Sequence, residues 1–248
     1  MSILKSNEAL AIMREAGRIV AECHALLQDA IKPGVTTNHL DRLVEAHIRS
    51  RGAVPSFKGH HDFPASICVA KNEVICHGFP DDRPLLEGEV VTIDTGALYQ
   101  GYHGDSAWTY AVGSVSDEIA KLMLDCEQSL QLGIDQARAG RHIGDIGHAI
   151  QSFAEPLGYG VVRQFTGHGI GQALWEEPAV PHYGSAGTGK PIVEGMVLAI
   201  EPMLTLGGWQ AVVEADGWTA RTRDRSICAQ YEHTVAVTEQ GPVILTVL

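Results

Sequence analysis

The chain has 248 residues, 45% of them apolar, which suits one large domain or two fused halves with a sizeable core. A formal charge of −12 argues against nonspecific binding to nucleic acid, where a basic surface is expected. Five cysteines form no CxxC pair, the N-terminus has no apolar signal segment, and no run nears the roughly 20 apolar residues of a membrane span. These features place the protein in the cytoplasm with reduced thiols, away from membranes.

Ser6 is placed to cap a long helix in which Ile12, Met13, Ala16, Ile19, Val20, Cys23 and Leu27 recur at helical spacing. Lys32-Pro33-Gly34 ends it. Thr36 or Thr37 starts a second helix with Leu40, Leu43, Val44 and Ile48 inward and Gly52 as its stop. An irregular segment from Ser56 to Pro64 leads to a strand over residues 66–70. Asn72-Glu-Val-Ile-Cys-His77-Gly follows.

Next come β-branched Val90, Val91 and Ile93, then Asp94, a turn, and a return strand through Asp105. With the turn at Tyr99-Gln100, Asp94 faces Asp105 across the hairpin. Two buried carboxylates without a cation force one to keep its proton, and a divalent metal with its preference for oxygen relieves them. Taken alone, the pair also reads as two aspartates flanking a turn on a solvated face.

The chain then begins again. Ser116 caps a helix carrying Ile119, Leu122, Met123 and Cys126, ended at Ala139-Gly140. A second helix carries Ile143, Ile146, Ala149, Ile150 and Phe153 and stops at Pro156-Leu157-Gly158. A shift of 106 maps Gly34, Leu40, Val44 and Gly52 onto Gly140, Ile146, Ile150 and Gly158. A shift of 107 lays the run ending in Asp94 over the run ending in Glu201, each strand closing on an acid. The expectation is one domain over 1–248, built of two α+β halves (about 6–113 and 114–248) related by a pseudo-two-fold axis. Trp209 to Thr222 reads as a hairpin about Asp216-Gly217. Glu232 is read near the start of a strand.

His168 sits among glycines, where backbone approaches a ligand closely. Together Asp94, Asp105, His168, Glu201 and Glu232 carry too much negative charge for one divalent ion. They suit two ions with bridging carboxylates, the arrangement of metal-dependent hydrolases. Zinc favours more nitrogen and sulfur, so cobalt, manganese and iron stand beside it.

The motifs Asn72-Glu-Val-Ile-Cys-His77-Gly, Ile93-Asp-Thr-Gly, Gly104-Asp105, Thr166-Gly-His-Gly-Ile-Gly, Ile200-Glu-Pro-Met and Gln230-Tyr-Glu-His-Thr closely resemble those of the type I methionine aminopeptidases, of the creatinase or "pita-bread" fold. The resemblance covers nearly the whole chain and is to the short form, without a zinc-binding extension or the type II insert. It implies removal of the initiator methionine from nascent chains with a small second residue. It implies that Asp94 binds one metal and His168 the other, that Asp105 and Glu232 bridge, and that Glu201 is a ligand that also helps accept the proton of water. His77 is implied as a catalytic, substrate-contacting residue. Phe57, Phe63, Cys68 and Trp218 are implied as the methionine pocket, although plain core packing is the reading from residue type alone. Family precedent favours a monomer, and the ribosome exit region is a candidate docking partner, above all for a form that binds nascent N-termini without trimming them.

One departure stands out. Leu174-Trp175 occupies the place of a Phe-His pair whose His hydrogen-bonds the substrate peptide in the family. An indole N–H donates one hydrogen bond but cannot accept or shuttle a proton. Trp175 therefore motivates a second hypothesis, a metal-binding paralogue with weak or no activity that recognises nascent N-termini. A dipeptidase or proline-directed aminopeptidase is the third, weakened by the lack of the large N-terminal domain of those relatives. His60 and His61 are expected near the entry, shaping the pocket rather than acting in catalysis.

Overall fold

The computed structural model describes residues 4–248. Helix α1 spans Asn7–Ala30, its first turn capped by Ser6 Oγ accepting the Ala9 N–H at 3.2 Å. Helix α2 spans Thr37–Ser50, with Thr36 Oγ1 accepting the His39 N–H at 3.2 Å. Their apolar stripes, including Ile19, Leu27, Leu40 and Val44, are buried against an antiparallel sheet. Its main strands are β1 (Ile67–Lys71), β2 (Val90–Tyr99) and β3 (Tyr102–Ala111), with β2 between the other two.

The second half repeats the plan. Helices α3 (Asp117–Ile134) and α4 (Ile143–Ala154) cover a sheet containing β4 (Gly167–Gly169), β5 (Glu176–Val180) and β6 (Val197–Ile200). Strands β7 (Met203–Thr205) and β8 (Cys228–Gln230) pair with each other. β9 (His233–Thr238) returns to β6, and β10 (Gly241–Ile244) closes the edge in the order β10-β9-β6-β4-β5. Trp108 packs against the cores of both halves.

The internal shifts are visible in the backbone. The bridge between Thr36 and Pro84 recurs between His142 and Pro191, displaced by 106 and 107 residues. Gly34, Gly52 and Gly88 have φ of 92°, 72° and 87°, and their counterparts Gly140, Gly158 and Gly195 have 87°, 92° and 84°. The halves are stitched at β3. Thr234 Oγ1 accepts the Asp105 N–H at 3.0 Å and donates to the Asp105 carbonyl at 2.8 Å. Ser106 Oγ donates to the Glu232 carbonyl at 2.6 Å, and Glu232 N–H donates to the Ala107 carbonyl at 2.8 Å.

Four local expectations change. The β2–β3 turn is at Gln100-Gly101, not Tyr99-Gln100, so Asp94 pairs with Ala107 and Asp105 with Gly96. Gln100 and Gly101 have φ of 46° and 83°, the positive pair that a tight hairpin turn requires. β2 does not end at Asp94 but continues five residues to Tyr99, because β3 pairs with it throughout. After Glu201, by contrast, Pro202 lacks an N–H and the strand is interrupted. Helix α3 ends at Ile134, before Ala139-Gly140, where Arg138 Nε caps the Asp135 carbonyl at 3.0 Å. Glu232 lies between two strands, where the chain leaves β7's side for β6. The hairpin centred on Asp216-Gly217 forms as expected, joining Ala211–Val213 to Ala220–Thr222.

Helix α1 lies directly on β3 because two glycines meet there. A Cβ on Gly104 would come within 2.7 Å of Gly17 N and 2.9 Å of the Ala16 carbonyl carbon. Gly104→Ala is therefore expected to lose about 1–3 kcal/mol through overpacking. Thermal unfolding of the metal-loaded protein reads this out, and an unchanged Tm would mean that the helix has room to lift.

Candidate metal and substrate site

The β2–β3 hairpin supplies two carboxylates to one face. Asp94 and Gly96 are two apart on β2, and Asp105 is paired with Gly96, so both aspartates project the same way. Cys68 on β1 lies opposite Asp94 on its other side. Glu201 follows β6, Glu232 sits at the β8–β9 break, and His168 is central in β4. A Cβ on Gly167 or Gly169 would collide with the carbonyl of Ala199 or Glu177, so the glycines flanking His168 let β4 fit between its neighbours.

The five expected ligands converge on one cavity of about 240 Å³. Ligand atoms of Asp105, His168 and Glu232 lie within 4.8 Å of one another. His168 Nε2 is 3.7 Å from Glu201 Oε1. Nδ1 of His168 donates to the Gly169 carbonyl at 2.9 Å, which fixes the tautomer and leaves the Nε2 lone pair free for a metal. Asp94 Oδ1, Asp105 Oδ1 and Glu232 Oε1 are shielded from solvent and have no hydrogen-bond partner. A buried polar atom without a partner costs about 1–3 kcal/mol, and more when charged. Three of them beside a free imidazole nitrogen fit a divalent cation and fit little else.

Electrostatics agree with that fit. Burial pushes Asp94 up to about 7. Burial, then the charges of Glu232 and Asp94, raises Asp105 well above the carboxylate range. Glu201 and Glu232 are raised well above it too, by burial first and by neighbouring carboxylates second. Burial lowers His168 to about 4, so its ring is neutral.

His77 also lines the cavity, with φ of 59°, a left-handed backbone uncommon outside glycine. Its ring stands edge-on to Phe165 and Trp218, at 5.6 and 6.1 Å between centroids. Phe57, Phe63, Cys68 and Trp218 line the same space, and Phe63 and Trp218 pack edge to face at 5.1 Å. Trp175 forms part of the mouth and is 46% exposed, stacked on His61 and edge-on to His60.

Several contributors carry no role in the sequence reading, His182 among them, whose Pro-His-Tyr context does not mark it as a substitute for the histidine missing at 175. Phe165, Met203 and Gln230 line the cavity, each within or beside a quoted motif. Gln230 Nε2 donates to Glu201 Oε2 at 3.1 Å. His182, fully buried and lowered to about 3 by desolvation, accepts the Glu201 N–H on Nε2 at 3.2 Å. The loop carrying Leu174 and Trp175 is held by Lys5, whose Nζ meets Glu176 at 2.5 Å with both side chains buried. That pair spans 171 residues, and no local signal announces it.

Residues 11–239 match the profile of metallopeptidase family M24. The chain is 49% identical over 246 residues to methionine aminopeptidase 1 of Bacillus subtilis, covering 99% of each. The crystal structure of methionine aminopeptidase from Rickettsia prowazekii superposes with a TM-score of 0.98 at 41% identity over the full length of both chains. Prolidase from Pyrococcus furiosus shares the fold alone, with a TM-score of 0.82 at 24% identity. Matches to peptidases along the whole chain do not support a binding-only paralogue. The fold is the pita-bread fold, and the enzyme uses divalent metal ions. The chain belongs to metallopeptidase family M24, among its methionine aminopeptidases.

Proposed function

We propose that this enzyme releases the initiator methionine from nascent polypeptides whose second residue is small. The observation that carries the reading is the set of unpartnered buried carboxylate oxygens on Asp94, Asp105 and Glu232 beside the free Nε2 of His168. Asp94, Asp105, His168, Glu201 and Glu232 would hold two divalent ions. Bound ions supply Lewis-acid polarisation of the scissile carbonyl and lower the pKa of water.

The chain's own residues do the rest. Glu201, held by Gln230 at its side chain and by His182 at its backbone N–H, accepts the proton of the attacking water, its basicity raised by burial and by neighbouring carboxylates. Neutral His77, whose pKa is lowered by burial, offers a hydrogen bond to the substrate beside the scissile bond. Phe57, Phe63, Cys68 and Trp218 enclose the methionine side chain in apolar surface.

The single catalytic domain spans 1–248, its two halves about 6–113 and 114–248. Five buried, unpaired thiols support a reducing cytoplasm. Among the described residues no helix is long and apolar enough to cross a membrane. The enzyme works as a monomer on chains leaving the ribosome. Methionine release from Met-Ala-Ser, compared with Met-Leu-started and Pro-started peptides, tests the specificity. Cleavage of Met-Ala-Ser alone is expected, and equal cleavage of all three would sink it.

A further inference from the structure

We propose that His60 is a substrate-contacting residue of this enzyme, its Nε2 taking a backbone group of the bound peptide just beyond the scissile bond as hydrogen-bond partner. The inference rests on the reading of the cavity as a methionine aminopeptidase site. His60 lines that cavity, and its Nε2 is shielded from solvent with no partner. A ring kept for packing alone would do better as phenylalanine, which has no nitrogen to leave unpaired. A peptide entering the cavity brings the missing partner.

The backbone holds His60 at a cost. Gly59, His61 and Asp62 have φ of 86°, 45° and 65°, so two non-glycine residues in a short turn are left-handed. Such strain persists where the surroundings impose it, and it clusters at ligand clamps. Trp175 packs edge-on against His60 with centroids 4.7 Å apart, and lies nearly parallel to His61 at 5.9 Å. Residue 175 is where the resemblance puts a hydrogen-bonding His, and its indole cannot accept a proton. Of the imidazole rings in contact with Trp175, His60 is the nearest, at 4.7 Å between centroids against 5.9 Å for His61 and 6.4 Å for His168, and its Nε2 has no partner. His103, buried nearby, is already engaged through Nδ1 with Ser56 Oγ at 2.8 Å. Trp175 is half-exposed, so one side of its indole borders solvent where a peptide would approach Nε2.

The test is a double-mutant cycle of His60→Phe and Trp175→His on the metal-loaded enzyme. His60→Phe keeps the ring against Trp175 and is expected to lower kcat/KM for Met-Ala-Ser about 10²-fold, the usual cost of one transition-state donor. His60→Gln, which restores a polar nitrogen at similar reach, is expected to recover most of that loss. In the Trp175→His background the effect of His60→Phe should shrink to a few-fold, because the new imidazole shares the role. The Tm of His60→Phe should stay equal or rise, since no bond in the free protein is lost; a packing role would lower it. Calorimetric binding of Met-Ala-Ser to metal-stripped wild type and His60→Phe gives a second readout, with weaker binding expected for the variant. Unchanged kcat/KM and binding in His60→Phe, or an equal loss in both backgrounds, would overturn the proposal. An inactive wild type that still binds the peptide through His60 would instead overturn the functional reading and leave the contact standing.

Discussion

Glu201→Gln is expected to lower kcat for Met-Ala-Ser about 10³-fold, within the range for losing a positioned proton acceptor. The same change should stabilise the metal-stripped protein. Burial and the charges of Asp94 and Asp105 raise the pKa of Glu201 well above its usual value, so the carboxyl sits in the fold at a cost when no cation is bound. Glutamine has nearly the same shape, keeps an oxygen for Gln230, and carries no charge. The expected gain is about 1–3 kcal/mol, the scale of relieving one unsatisfied buried group. Turnover of the loaded enzyme and Tm of the stripped enzyme at pH 8 decide it. A variant within tenfold of wild type would remove Glu201 from proton transfer. A lower Tm would mean that the carboxylate is stabilised by contacts the cavity does not show.

The second large effect is on pH dependence. A carboxyl whose folded pKa is raised holds a proton that the unfolded chain has already lost. Stability from that proton is present at low pH and disappears as pH rises through the folded value. Asp94 at about 7, with Asp105, Glu201 and Glu232 also raised well above the carboxylate range by burial, therefore makes the metal-free protein less stable as pH increases. Buried neutral histidines act oppositely: His24 at about 4 and His182 at about 3 cost stability as pH falls from about 6.5. Above pH 6.5 the histidine contribution fades and the raised carboxylates increasingly set the slope. Between pH 6.5 and 8 the stripped protein should lose Tm, while the metal-loaded protein stays nearly flat. Metal binding in that window should release protons, measured by calorimetry in buffers of different ionisation enthalpy. A stripped protein that gains stability from pH 6.5 to 8, with no proton release on loading, would contradict the raised carboxylates.

Much of this was legible from residue types and spacing. Helix caps at Ser6, Thr36 and Ser116 and the buried stripes behind them are local chemistry, and local chemistry is printed in the chain. The repeat was legible because strand starts and left-handed glycines recur at a fixed spacing. The hairpin register differs by two residues from the sequence expectation, because the turn falls on Gln100-Gly101, the glycine-containing pair that favours positive φ, and not on Tyr99-Gln100. The conclusion survived because the side-chain period in a strand is two. Asp105 moved from opposite Asp94 to opposite Gly96, which lies on the same face. What stayed hidden depends on distant packing. The Lys5–Glu176 pair, the His182 contact to Glu201 and the orphaned Nε2 of His60 all need the folded chain to bring them together.

Methionine release depends on divalent ions held by Asp94, Asp105, His168, Glu201 and Glu232. The direct measurement is methionine release from Met-Ala-Ser by protein stripped with chelator, then reloaded separately with Mn, Co, Fe and Zn, with bound metal counted at each step. No release is expected from stripped protein, recovery with at least one of these ions, and loss of bound metal in Asp105→Asn and Glu232→Gln. Full activity in the stripped protein, or undiminished metal content in both variants, would contradict it.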